Sequence, residues 1–360
     1  MGKGSRNPLA IALNSHIQTI HETFQMLDEE VVSSVEKAEW SEVTKLGDQI
    51  SRQATVAGML WSGEVPNPRE LEENMAAYFN LLQGLLLLCH GSMVGAGPTL
   101  CASIRSSAKQ VVDCSISLFR GGVSPKDSGC TSGKLAIPQL AGAVWEACSA
   151  LKKTPTTNYT AVGRAITQVA VSVKDVLREM NEIKPSSASS ATGDASNESS
   201  EPHDDNDSSE DDDLGNDFSP EEMVLAQSVT SVVSDVLLAI KELIRFITGL
   251  VKQSNHPNYN ESAGPLERLL EICREIGHQV DEIGACVYPP QEIPQMKSAM
   301  EKMSGALRRL QAEVESIGSS TEGFFRACEG LETSLSKLAS ELDCLDTDVV
   351  ADMQNLDVGI

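Results

Sequence analysis

Aromatic side chains are scarce in this chain of 360 residues: seven Phe, four Tyr and three Trp, or 4% of the sequence. Strands favour aromatic and β-branched residues. The shortage therefore argues against a β-sandwich and for helices packed through Leu, Val, Ile, Ala and Met. Positive charge is also short. There are 28 Lys and Arg against 52 Asp and Glu, a formal net charge of −24. So acidic a chain repels phosphate backbones, and direct nucleic-acid binding is not expected. The nine cysteines include no C-x-x-C pair, and no secretory signal leads the sequence. A reduced compartment, cytosol or nucleus, is the expectation.

Catalytic signatures are missing as well. Gly129-Cys130-Thr131-Ser132-Gly133-Lys134-Leu135 approaches a phosphate loop but is one residue short between its glycines. Leu135 also stands where Ser or Thr would hold magnesium. Gly91, Gly95 and Gly97 lack the spacing of a dinucleotide fingerprint, and no G-x-S-x-G surrounds Ser92. The six histidines are scattered. His16 and His21 are five apart, on different helix faces, whereas His278 and Asp281 are three apart and can meet at a surface. Cys328 falls in an apolar stripe, where a thiol is usually inert. No catalytic residue, metal site or cofactor is expected, and the chain reads as a non-enzyme. Met75–Val94 is the most lipid-like stretch, but Asn80, Gln83 and His90 interrupt it. A helix buried in protein is expected there, with no membrane partner.

What is present is helical periodicity. Leu13, Ile17, Ile20, Phe24, Leu27 and Val31 form one stripe. Leu225, Val229, Val232, Val236, Ala239, Leu243, Phe246 and Leu250 form another. Val233, Leu237, Ile240, Ile244, Ile247 and Val251 run beside it, a face wide enough for two neighbours. Met296, Met300, Met303, Leu307, Leu310, Val314 and Ile317 follow, and then Phe324, Cys328, Leu331, Leu335, Leu338, Leu342 and Leu345. Ser219-Pro220-Glu221-Glu222 has the chemistry of a helix start: a capping Ser, Pro at the first position, then acids at the positive end of the dipole.

Residues 185–219 hold eleven acids, no Lys or Arg, and little to bury, which predicts a disordered linker. The predicted fold is all-α: two antiparallel helical bundles joined by this acidic segment. The expected divisions are a bundle of about six helices over 1–184, the linker, a four-helix bundle over 220–346, and a flexible tail over 347–360. Within the linker, Ser208 and Ser209 precede Glu210-Asp211-Asp212-Asp213, a context suited to acid-directed serine kinases. Leu342-Asp343-Cys344-Leu345-Asp346 approaches an L-x-C-x-E docking peptide, but its leucines belong to the core stripe. Arg268-Leu269-Leu270 and Arg308-Arg309-Leu310 fit a minimal R-x-L, and both lie within predicted helices.

Pro289-Pro290 cannot continue a helix. The pair ends the helix of Ile272, Ile276, Val280 and Ile283, and Glu292 opens the next. The same corner carries a resemblance. Asp281-Glu282-Ile283 and Val287-Tyr288-Pro289-Pro290, behind the Leu266–Ile276 helix, resemble the C-terminal region of the cyclin-D-binding, GCIP-like family. The Leu46–Leu60 helix with Ser51-Arg52-Gln53-Ala54-Thr55, the proline-containing link, the Tyr78–Leu88 helix and the acidic midsection agree. The resemblance spans about Val43–Ile317 and is that of a plant-type or other divergent member.

It implies an all-helical, non-enzymatic regulator that binds D-type cyclins and helix-loop-helix transcription factors in cytoplasm and nucleus and restrains the cell cycle. Sequestration through an exposed apolar groove is the expected mechanism, with Tyr288, Pro289, Pro290, Met296, Met300 and Met303 as the expected contact residues. The alternative reading is a helical-bundle adaptor of the vinculin and talin type.

Overall fold

The computed structural model describes residues 8–29, 36–62, 67–123, 136–183, 218–253, 263–318 and 322–356. The phosphate-loop near miss, Ser208, Ser209 and nearly all of the acidic segment lie outside them. Among the described residues the regular structure is helical, as expected: α1 (Pro8–Gln25), α2 (Trp40–Ser62), α3 (Pro68–Ser92), α4 (Pro98–Val123) and α5 (Ile137–Leu151). Then follow α6 (Asn158–Asn181), α7 (Pro220–Gln253), α8 (Ala263–Cys286), α9 (Ile293–Ile317) and α10 (Glu322–Leu356). A single 3-10 turn, Met26–Asp28, follows α1.

The contacts divide the chain into two compact units, one of Met1–Arg164 with Gln253–Glu267, the other of Ala165–Lys252 with Arg268–Ile360. In the first, α2 and α5 run antiparallel at close range: a Cβ on Gly58 would sit 3.3 Å from Ala141, and one on Gly47 3.0 Å from Leu151. The rare aromatics are concentrated here. Phe119 of α4 meets Tyr78 and Phe79 of α3 at 4.8 and 5.3 Å and Trp61 of α2 at 5.6 Å. His16 of α1 stacks on Phe79 at 5.2 Å. The edge-on pairs Tyr78–Phe119 and Trp61–Phe119 add about 0.5–1.5 kcal/mol each beyond burial. Composition predicts an aliphatic core, but a few rings placed where four helices converge are enough to centre this one. Trp61 lies over α4 so closely that a Cβ on Gly122 would fall 2.4 Å from its ring. Gly121 and Gly122 are both within α4, and only a residue without a side chain fits under Trp61 at 122.

The start of α4 is capped from far along the chain. Thr99 donates its backbone N–H and its hydroxyl to the two oxygens of Glu267, at 2.9 and 2.7 Å. The Gly97 N–H goes to Asn158 Oδ1 at 2.7 Å. These bonds satisfy amides that the first turn leaves without partners, and the carboxylate sits at the positive end of the helix.

In the second unit, ion pairs and hydrogen bonds record the register. Arg268–Glu313 and Arg309–Glu275 set α8 antiparallel to α9. Lys297–Asp343 and Gln311–Glu332 do the same for α9 and α10. Ser334 donates to Asp235, and Gly323 lies 3.0 Å from Glu242 by its virtual Cβ, which sets α10 antiparallel to α7. Exposed pairs stabilise by only about 0–1 kcal/mol each, so the apolar stripes carry the fold. Val229, Val232, Val236, Leu243 and Leu250 are buried, as are Val233, Leu237, Ile240 and Ile247 beside them. Both stripes of α7 are thus covered.

α6 packs in this unit too, parallel to α8. Gly277 faces Val169 and Gly284 faces Val176, one heptad apart on both helices. Contacts therefore divide the chain within α6, at Arg164, and composition divides it at 184. α10 continues as helix to Leu356, past Asp346 where the bundle is expected to end. α7, not α3, is the described helix long and apolar enough to span a bilayer, and half of its most apolar window is buried in protein.

Candidate partner-docking site

The α8–α9 corner is built by the two prolines and tied down from both sides. α8 ends at Cys286, and the Pro289–Pro290 peptide is cis. Gln291 folds its side chain back, donating to the Val287 carbonyl at 2.9 Å and to the Glu222 carbonyl of α7 at 3.1 Å. Tyr288 is half-buried and meets Phe218 edge-on at 6.2 Å. Phe218 and Val287 are buried beneath it. Just beyond Phe218, α7 starts with a reciprocal capping box. The Glu222 N–H donates to Ser219 Oγ at 3.1 Å, and the Ser219 N–H donates to Glu222 Oε2 at 2.9 Å.

Beside the corner, α9 and α10 enclose an open groove of about 780 Å³. Met300 and Leu335 form its floor, Ser304 and Arg308 one wall, Ser336 and Ala339 the other. Lys297 and Asp343 close the corner end with an ion pair at 2.8 Å. This differs from the expected apolar groove. Met296 and Met303 are fully buried and Met300 is 5% exposed. The methionine stripe is the face by which α9 closes the bundle, and Met300 only edges into the groove. Of the six expected contact residues, Tyr288 and Pro289 are half-exposed, Pro290 is exposed, and the three methionines are core.

The short docking motifs are spent on the fold. Leu270 and Leu310, the anchor leucines of the two R-x-L matches, are buried, and Arg268 is paired with Glu313. Leu342 is buried in the α10 stripe and Cys344 is exposed. His278 lies 3.7 Å from Glu282 at the surface, one residue from the expected partner Asp281.

No group of three or more His, Cys, Asp or Glu among the described residues is placed to hold a metal ion. Burial pushes the thiols of Cys89, Cys148, Cys273 and Cys328 up to about 12, which leaves them protonated and unreactive. The Tyr78 hydroxyl is raised by the same desolvation and shares a 2.9 Å hydrogen bond with Ser115. It is a core contact.

Sequence reasoning missed one exposed ring, Trp145 on α5. Leu140, Val144, Ala147, Cys148 and Leu151 form the buried stripe of that helix. Tracing the stripe would have placed Trp145 outside it.

Residues 42–186 match the family description "Grap2 and cyclin-D-interacting, N-terminal", and residues 203–312 match its C-terminal counterpart. Together the two spans take in well over half of the chain. A Xenopus laevis protein named Cyclin-D1-binding protein 1 homolog is 22% identical over 218 residues. That alignment takes in 60% of this chain and 61% of the length of the relative.

Proposed function

The chain belongs to the Grap2- and cyclin-D-interacting family, and from that membership we propose that it is a non-enzymatic regulator that sequesters partner helices. D-type cyclins are the first partner class, because the Xenopus relative is named for cyclin D1. Helix-loop-helix proteins are the second. The observation that carries the reading is the α9–α10 groove beside the anchored Tyr288-Pro289-Pro290 corner.

The geometry favours one mode of capture. α8 and α9 are closed on each other by Arg268–Glu313 and Arg309–Glu275, and their apolar stripes are buried. Exchanging α8 or α9 into a hybrid dimer would expose that core, at about 1.5–3 kcal/mol for each large side chain. Laying a partner helix into the existing groove costs none of it. Arg308 and Ser304 would meet polar groups of the partner. A helix held there is withheld from its usual dimer, so the effect is competitive. The setting is cytoplasm and nucleus. Phosphorylation at Ser208 and Ser209 by an acid-directed kinase would add charge to the linker.

The test is competition with purified full-length protein. A D-type cyclin is offered to its kinase subunit, and a helix-loop-helix factor to its dimer partner, with rising amounts of this chain. Loss of at least one complex, and no loss with an unrelated acidic helical protein, is the expected result. Both complexes surviving a large excess would end the proposal.

A further inference from the structure

The first unit carries a surface that the corner reading leaves unused. On the solvent face of α2, Val56 is 42% exposed and Met59 71%. Trp145 of the adjacent α5 is 45% exposed. Its indole N–H donates to Thr55 Oγ1 at 3.1 Å, and that hydroxyl donates onward to the Ser51 carbonyl at 3.3 Å. The ring is therefore held in one orientation with a face open to water. One turn back along α5, Gly142 has no side chain, and a Cβ there would meet nothing within 4 Å. The edge of the ring is uncovered along its own helix. Trp and Met are enriched at protein interfaces, and an anchored Trp is a frequent centre of binding energy there.

The charge along the same strip is unlike that of the rest of the molecule. Lys45 and Arg52 continue the solvent face of α2 beyond Val56 and Met59, with the exposed Glu42 one turn before Lys45, and neither cation is ion-paired among the described residues. On the flank of the strip, Lys152 is matched by Asp48 at 2.6 Å. Glu146 follows Trp145 in sequence but lies towards α4, where it helps raise the Cys114 thiol. An apolar end and a basic end thus lie in line, on a chain whose net charge is −24. From Lys45 to Met59 the strip is about 21 Å long, four turns of helix.

We propose that the α2–α5 face is a second docking surface, shaped for an acidic amphipathic helix of a partner protein. Apolar residues at i, i+3, i+4 and i+7 would cover Trp145, Val56 and Met59, and carboxylates one or two turns further on would meet Arg52 and Lys45. A second copy of this chain is the poorer occupant. It brings the same basic strip to face this one, and the two copies repel as a whole.

The test uses the full chain and a labelled peptide with leucines at i, i+3, i+4 and i+7 and glutamates elsewhere. Its lysine counterpart and a scrambled version serve as controls, with fluorescence anisotropy as the readout. The acidic peptide should bind, lose affinity as salt is raised, and bind at least tenfold more weakly to Arg52→Glu and to Gly142→Glu. Gly142→Glu places its carboxylate in open space, and circular dichroism should show both variants folded. No binding overturns the proposal, as does equal binding of the lysine peptide or indifference to both substitutions. Sedimentation of the free chain at rising concentration covers the other occupant. A dimer abolished by Arg52→Glu would assign the face to a second copy and overturn the proposal as well.

Discussion

Replacing Gly277 by Ala sets two known effects against each other at a single atom. Gly277 lies inside α8, where Gly→Ala ordinarily adds about 1 kcal/mol of helix stability. Here the new methyl would come within 2.8 Å of Val169 Cγ1 on α6. Val169 cannot swing clear, because a β-branched side chain in a helix is confined to essentially one rotamer. Overpacking of that kind costs about 1–3 kcal/mol. The net expectation is a loss of roughly 1 kcal/mol. The control is Gly330→Ala on the exposed face of α10, where a Cβ meets nothing within 4 Å and the full gain of about 1 kcal/mol should appear.

Val169→Ala removes the obstructing methyl, so the double variant Gly277→Ala/Val169→Ala should be more stable than the two single effects predict, by about 1–2 kcal/mol. Urea unfolding followed by circular dichroism is the suitable assay. All three tryptophans lie in Met1–Arg164, and fluorescence would report the other unit. A gain at Gly277 equal to that at Gly330, or strict additivity with Val169→Ala, would mean that α6 does not lie against α8 as described.

Three further outcomes follow from the same reasoning. Ser115→Ala should destabilise more than Tyr78→Phe. The first leaves a buried hydroxyl unpaired, at about 1–3 kcal/mol. The second leaves Ser115 still donating to the Val111 carbonyl at 2.7 Å, at about 1 kcal/mol, and equal urea midpoints would refute the distinction. Glu267→Ala should cost about 1–2 kcal/mol and speed amide hydrogen exchange at Thr99; unchanged exchange there would show that the remote carboxylate does not cap α4. In native protein near neutral pH a thiol alkylating reagent should modify Cys344 before Cys89, Cys148, Cys273 and Cys328. Thiols held near 12 carry almost no thiolate until pH approaches that value, and early modification of any of the four, read by peptide mass spectrometry, would contradict their burial.

Much of the architecture was legible because it rests on local chemistry. The double stripe of α7 announced two covered faces, and both are covered. Ser219 to Glu222 announced a helix start with a capping Ser, and the Ser219 hydroxyl accepts the Glu222 N–H; the return bond from the Glu222 carboxylate was not foreseen. Pro289-Pro290 announced a corner. What periodicity does not contain is the identity of the neighbour. The stripe of Met296, Met300 and Met303 reads equally well as a docking ridge or as a core seam, and only the position of the remaining helices makes it core. The place of α6 beside α8 was hidden for the same reason. It depends on glycines at 277 and 284 meeting valines at 169 and 176, a match between segments far apart in sequence. The α9–α10 groove was hidden too, since it is formed by small residues, Ser304, Ser336 and Ala339, that leave no signal in a hydropathy pattern.

The surface reading stands or falls on binding at that groove. Calorimetric titration of a D-type cyclin into the full chain, and into Ala339→Arg, measures it. Ala339 is exposed, so the arginine fills the groove without disturbing the buried stripe. The native chain should bind, and Ala339→Arg should bind at least tenfold more weakly with its unfolding transition unchanged. Equal heats from both proteins, or none from either, would contradict the account.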